Sequence, residues 1–451
     1  MVGVSLSRWT MSYFSAALAA LLAAELLMAL GFGFPAAPLR APETLILVHI
    51  VAIGWLSLLM CGALLQFVPV LVASPLRSAS LALPALLSLL GGLAALILAF
   101  LQFGGRIQTG HPLFACAALL LGLGFGLVLW ALARTLRAAP AWSLPAWFVV
   151  AGLASLVATA SLGIIFALVH GGITEAPALA ALAGPALPLH ALAGFGGWLT
   201  FTAIGVSYRL LAMFMLAPEL AGRRPKAALL LGSAALAIAI LGGSAVILRE
   251  GDPIHALCLG GILGAAALAL YGADIRHLYR ARLRRHIELN SRMAGFALGS
   301  LAAAMLLGLG LAVLGRLEDQ IGALTFLLVF GWLSGLGLAK LFKIVAFITW
   351  LECYGPVLGR TATPRVQDLV VESRARPWFL LYFGAVWTGT AFLLLGQPTG
   401  FRIIAALLLV ATLGIVGELL RIRRLADIAG ALRLPPGARA PRLLFADIRK
   451  P

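Results

Sequence analysis

Two histidines stand at matching places in an otherwise apolar chain. His49 comes six residues before Trp55, in the run Gly54-Trp55-Leu56-Ser57, and His190 comes eight residues before Trp198, in the run Gly197-Trp198-Leu199-Thr200. A neutral imidazole offers a lone pair to a metal through one nitrogen and a proton through the other. Within a membrane such a ring is carried at lower cost when it ligates a metal or faces a polar cavity. His49 and His190 are therefore the candidate cofactor-binding residues, with His190 also a candidate metal ligand. The alternative for each is an interfacial ring bonded to a carbonyl or water. Glu25, in the middle of the first apolar run, is the intramembrane polar candidate. A carboxyl at that depth must be protonated, paired or turned to a cavity, and proton transfer is one use of it. A neutral acid bonded to a neighbouring helix is the other reading.

The elements that must position these residues follow from composition. The chain has 451 residues, of which 62% are hydrophobic and 11% charged, with a mean hydropathy of +1.06. A soluble surface cannot be built from that balance. Apolar runs of bilayer-spanning length succeed one another throughout, and in lipid such runs must be helices. The fold class expected is an all-α integral membrane protein of about twelve transmembrane helices. The spans are placed near 11–34, 44–73, 79–103, 112–133, 145–170, 185–215, 227–248, 254–273, 293–315, 322–350, 377–396 and 401–420. No cleavable leader is expected, the first run reading as the first span.

The net charge of +17 would suggest nucleic acid in a soluble protein, but the basic residues sit in short loops. Alternate loops are rich in arginine, from Arg77 through the cluster between Arg276 and Arg292 to Arg421, Arg423 and Arg424. The positive-inside rule then places both termini in the cytoplasm, in a bacterial inner membrane, with the lipid bilayer as partner and no nucleic acid. The stretch Leu419 to Leu434 reads either as a basic amphipathic helix on the inner surface or as a tail that supplies only charge.

A third copy of the triplet, Gly331-Trp332-Leu333-Ser334, lies in the tenth span. The tryptophans are 143 and 134 residues apart, four spans each time, and the eleventh residue after each is polar: Gln66, Arg209 and Lys343. This predicts three pseudo-symmetric arcs of four helices, over about 1–137, 145–280 and 292–421, within one polytopic domain. A basic cytoplasmic tail follows at 422–451. Arg209, Lys340 and Lys343 lie near inner helix ends, where long cationic side chains are expected to snorkel. His111, His170 and His255 read as interfacial, and His277 and His286 fall in the basic loop. Cys61, Cys116, Cys258 and Cys353 have no metal-type spacing and read as buried thiols. No nucleotide-binding or hydrolase motif is present.

With the triplets and histidines in view, the chain resembles the catalytic subunit of haem-copper oxidases and nitric oxide reductases. The run from His49 through Gly54-Trp55-Leu56 and Gly62 to Val68-Pro69 is similar to the second helix of the nitric oxide reductase and cbb3-type branches. The resemblance implies a low-spin haem on His49 and a copper ligand at His190. Span seven lacks the family's histidine pair, span ten lacks both of its histidines, and no glutamate or tyrosine follows His190 in the copper-helix pattern. Oxygen or nitric oxide reduction at a binuclear centre is therefore not expected. A lesser likeness is to the twelve-span haem- and copper-containing proteins of the nitric oxide response, without their His-Ala-His-Glu or Arg-Pro-Phe-Phe signatures.

The expected function is a divergent haem-copper-oxidase-like protein without a binuclear centre. It would bind haem or a metal such as copper near the outer face. Its role would be electron transfer with a respiratory or redox partner protein, metal handling, or an accessory function in respiration or nitric oxide metabolism. The alternatives are a small-solute transporter using Glu25 and a cofactor-free structural or assembly subunit.

Overall fold

The computed structural model describes residues 7–446 apart from residue 221, and those residues form helices and loops without a strand. Twelve helices are long and apolar enough to cross a membrane. They are Thr10–Leu30, Pro42–Leu71, Ala79–Phe103, Leu113–Arg137, Leu144–His170, Leu187–Met215, Arg223–Ile247, Ile254–Arg280, Leu289–Val313, Leu317–Val357, Glu372–Leu394 and Pro398–Arg423, called spans one to twelve. Most ends fall within a few residues of the expected ones. Span eight continues to Arg280 because its last turns are tied down. Tyr208 donates to Asp274 at 2.9 Å, and the Ser207 and Tyr271 hydroxyls are 2.7 Å apart. Span ten runs on past Glu352, whose charge is met by Arg423 at 2.9 Å.

Spans two, six and ten, which carry the repeat, are the inner helices. Between 56% and 72% of their most apolar stretches is buried, against 44% or less in every other span. Their tryptophans Trp55, Trp198 and Trp332 are at most 1% exposed, whereas leucines such as Leu119, Leu230 and Leu306 lie on the outside. This is the distribution a bilayer demands, since lipid solvates leucine as well as a protein core does.

The chain packs as two compact units. The first holds the residues up to Gln66 and those from Ile287 onward, and the second holds Phe67–His286. In the first unit, span one packs against spans two and twelve, nine against ten, and eleven against twelve. Close approach is set by small residues: a Cβ on Gly62 would sit 2.7 Å from the Cβ of Tyr13. In the second unit, spans three and four form a hairpin with reciprocal glycine contacts, Gly92 on Leu121 and Gly124 on Leu89. Spans seven and eight form another hairpin, and span five packs on spans four and six.

Three expectations are corrected. First, no amphipathic helix spans Leu419–Leu434. Span twelve ends at Arg423, Leu425 takes a left-handed backbone, and beyond it only Gly430–Arg433 is helical. The reason is electrostatic: Arg374 and Arg421 both clasp Asp427, at 2.6 Å each, which turns the chain back. The tail then runs along its own unit, with Tyr354 donating to the Arg433 carbonyl and the Ala446 N–H donating to the Arg8 carbonyl. Residues 447–451 of the tail lie outside the described residues. Second, Lys340 is buried at 6% exposure and does not snorkel. Third, Cys61 and Cys353 are buried but Cys116 and Cys258 are exposed on helix faces, which lipid tolerates for a small thiol.

The clasp has a pH consequence. The Arg374 guanidinium first, and Arg421 second, hold the Asp427 carboxyl down to about 2, from an ordinary 3.8. Because the folded value is the lower one, Asp427 contributes its full stability above about pH 4 and loses it as the pH falls towards about 2. Thermal unfolding in detergent followed by circular dichroism is expected to show this slope in the parent, with a shallower slope in Asp427→Asn.

Candidate functional site

Span two begins with Pro42, whose fixed φ suits a first helical turn, and runs as an α-helix to His49. From Ile50 to Ser57 it widens to a π-helix, and the same happens at Leu192–Phe201 in span six and Leu327–Ser334 in span ten. Each of these three π segments contains a copy of the Gly-Trp-Leu repeat, whereas a fourth, shorter one at Ile238–Gly242 in span seven does not. The repeat in the sequence is thus a repeat of a backbone form that concentrates at functional sites and must be held by its surroundings.

His49 is the residue on which the α-helix gives way to the π segment. Its Nδ1 lies 2.7 Å from the carbonyl oxygen of Leu45, one turn earlier. A carbonyl only accepts, so Nδ1 carries the proton, and Nε2 of the neutral ring carries the lone pair. His190 in span six is oriented in the same sense, with Nδ1 3.0 Å from the Thr159 carbonyl of span five. Its ring lies against Gly163, where a Cβ would come within 3.1 Å of Cε1, and 5.4 Å from the Phe166 ring. His49 belongs to the first unit and His190 to the second, and each is fixed by its own carbonyl. Among the described residues no three His, Cys, Asp or Glu side chains gather as a metal site.

Glu25 is fully buried in the first unit. Its Oε1 accepts from the Thr412 hydroxyl of span twelve at 2.8 Å, and its Oε2 has no hydrogen-bond partner among the described residues. Tyr382 of span eleven lies within electrostatic reach of it. Tyr382 also belongs to a polar cluster that sequence reasoning missed. The Trp55 Nε1–H donates to the Ser334 hydroxyl at 2.8 Å, and the Tyr382 phenol donates to the Phe330 carbonyl at 2.9 Å. Trp55, Phe330 and Ser334 all belong to π segments, and the Trp55–Ser334 bond ties two of the three repeats together. The hydroxyl residue two positions after each tryptophan (Ser57, Thr200 and Ser334) was the available signal; its partner could not be read without the fold.

The polar positions eleven residues after the tryptophans have structural duties. Gln66 accepts from the Ser7 N–H at 3.0 Å, Arg209 pairs with Glu219, and Lys343 pairs with Glu288 at 2.8 Å. Each helix end thereby neutralises or satisfies its polar residue within its own unit.

The fold has a counterpart among solved structures. The chain is similar to a haem-copper terminal oxidase dimer solved by cryo-electron microscopy, with a TM-score of 0.57 over 96% of this chain and 84% of that one, at 12% identity. The fold is thus haem-copper-oxidase-like, in a multi-pass membrane protein. No protein-family model and no curated protein matches the sequence.

Proposed function

We propose that this protein holds one haem near the outer membrane face through His49 and exchanges electrons with a redox partner protein, without a copper–haem centre. Its place would be a bacterial inner membrane, with the arginine-rich helix ends in the cytoplasm. The observation that carries the reading is the Leu45 carbonyl on His49 Nδ1. Ligating histidines are oriented by such a second bond, which fixes the tautomer and makes Nε2 the donor to the metal. A haem iron can be held by a single proximal imidazole, and the bound group supplies a one-electron couple. The donor set at His190 suits copper poorly, since span seven has no histidine and no group of three metal-ligating side chains forms among the described residues. His190 therefore enters the reading as an imidazole packed between spans five and six.

Protein purified from haem-replete cells and assayed as the pyridine haemochromogen is expected to carry near-stoichiometric haem. Haem-free protein after that treatment would defeat the reading. The unpartnered Oε2 of Glu25 favours a second one, a proton-coupled transporter of a small solute. On that reading, Glu25→Gln abolishes solute flux driven by a pH gradient in proteoliposomes. Unchanged flux in that variant would remove it.

A further inference from the structure

We propose that the arginine-rich ends of spans eleven and twelve form a binding site for an anionic phospholipid of the inner leaflet. A groove of about 490 Å³ opens there, lined by Trp378, Gly414, Gly417, Leu420, Arg421 and Arg424 among others. Its floor is made by absence of side chains. Trp378 lies directly over Gly414, where a Cβ would stand 2.1 Å from the indole, and a Cβ on Gly417 would meet nothing within 4 Å. Leu420, 42% exposed, supplies an apolar wall. The floor and wall suit an acyl chain, and an indole at this depth suits the boundary between acyl chain and headgroup.

The polar end of the groove has excess positive charge. Arg374 forks onto Glu418 at 2.7 and 2.9 Å and onto Asp427 at 2.6 and 3.1 Å, and Arg421 shares Asp427. Three guanidinium groups, with Arg424, thus face two carboxylates. Arg424 is exposed and has no acidic partner among the described residues. The shared clasp on Asp427 holds Arg421 in place at the rim while Arg424 remains available to a phosphate. An arginine fork matches phosphate geometry, and basic pockets between helix ends on the cytoplasmic side take anionic headgroups. A free phosphate would use the arginines but not the apolar floor, so the whole groove fits a lipid.

The test is native mass spectrometry of the full chain in detergent, incubated with dioleoylphosphatidylglycerol, dioleoylphosphatidylcholine or inorganic phosphate. Phosphatidylglycerol is expected to be retained in preference to phosphatidylcholine. Arg424→Gln should lower that retention about five-fold, the worth of one basic residue near an anionic surface. Gly417→Leu, which fills the floor where there is room for a side chain, should lower it as well. Equal retention of the two lipids, or parent-like retention in both variants, overturns the proposal. Displacement of the lipid by millimolar phosphate overturns it too, since it would show an anion site without a lipid floor.

Discussion

Arg423→Met is expected to destabilise the protein by about 3–5 kcal/mol, the cost of stripping one partner from a buried ion pair. Arg423 is 4% exposed and Glu352 7%. Their atoms meet at 2.9 Å, and the same Arg423 nitrogen donates to Thr349 at 2.9 Å. A second guanidinium nitrogen donates to the Arg442 carbonyl, so the pair also anchors the tail. Removing the arginine leaves the Glu352 carboxylate buried without its counter-charge, and removing the glutamate does the reverse. Replacing both, as in Arg423→Met with Glu352→Gln, takes away both charges together and is expected to recover most of the loss. Thermal unfolding in detergent measures the contrast. A single variant as mild as the double one would show that the pair is not desolvated as described.

His49→Ala is expected to abolish haem binding while costing the fold only about 1 kcal/mol, the net worth of one hydrogen bond. The two effects separate because the Leu45 carbonyl remains satisfied within its own helix, whereas no other imidazole stands on span two or span ten to replace the ligand. His49→Gly supplied with free imidazole should regain haem, since the smaller side chain leaves room for an exogenous ring. His190→Ala should retain haem, because its ring is held by Thr159 and Phe166 of span five. Haem per chain and the melting temperature, measured on the same preparations, distinguish a lost ligand from a lost fold.

Much of the architecture was legible because the bilayer imposes a simple rule on sequence. A helix that crosses hydrocarbon must be about twenty apolar residues long, so the order of spans followed from runs of leucine, alanine and valine. The Gly-Trp-Leu repeat falls on the most buried helices, with Trp55, Trp198 and Trp332 at most 1% exposed. That the repeat encodes π segments was not legible, because a π turn depends on what packs around it as much as on its own residues. Side-chain partnerships were hidden for the same reason. Glu25 and Thr412 are 387 positions apart, and nothing local links them. Arg421, Arg423 and Arg424 read as a cytoplasmic topology signal, yet two of the three are committed to carboxylates that only the fold brings near. The orientation of His49 by Leu45 is local, at one helical turn, and the spacing alone permitted it without requiring it.

The visible spectrum of the protein, oxidised and then reduced with dithionite, decides whether span two is a haem helix. A Soret band that sharpens on reduction, with an α-band, is what an iron porphyrin on the His49 ring would give. A flat visible spectrum from well-folded protein made with ample haem would mean that the Leu45-anchored imidazole is only a strut inside a helical scaffold.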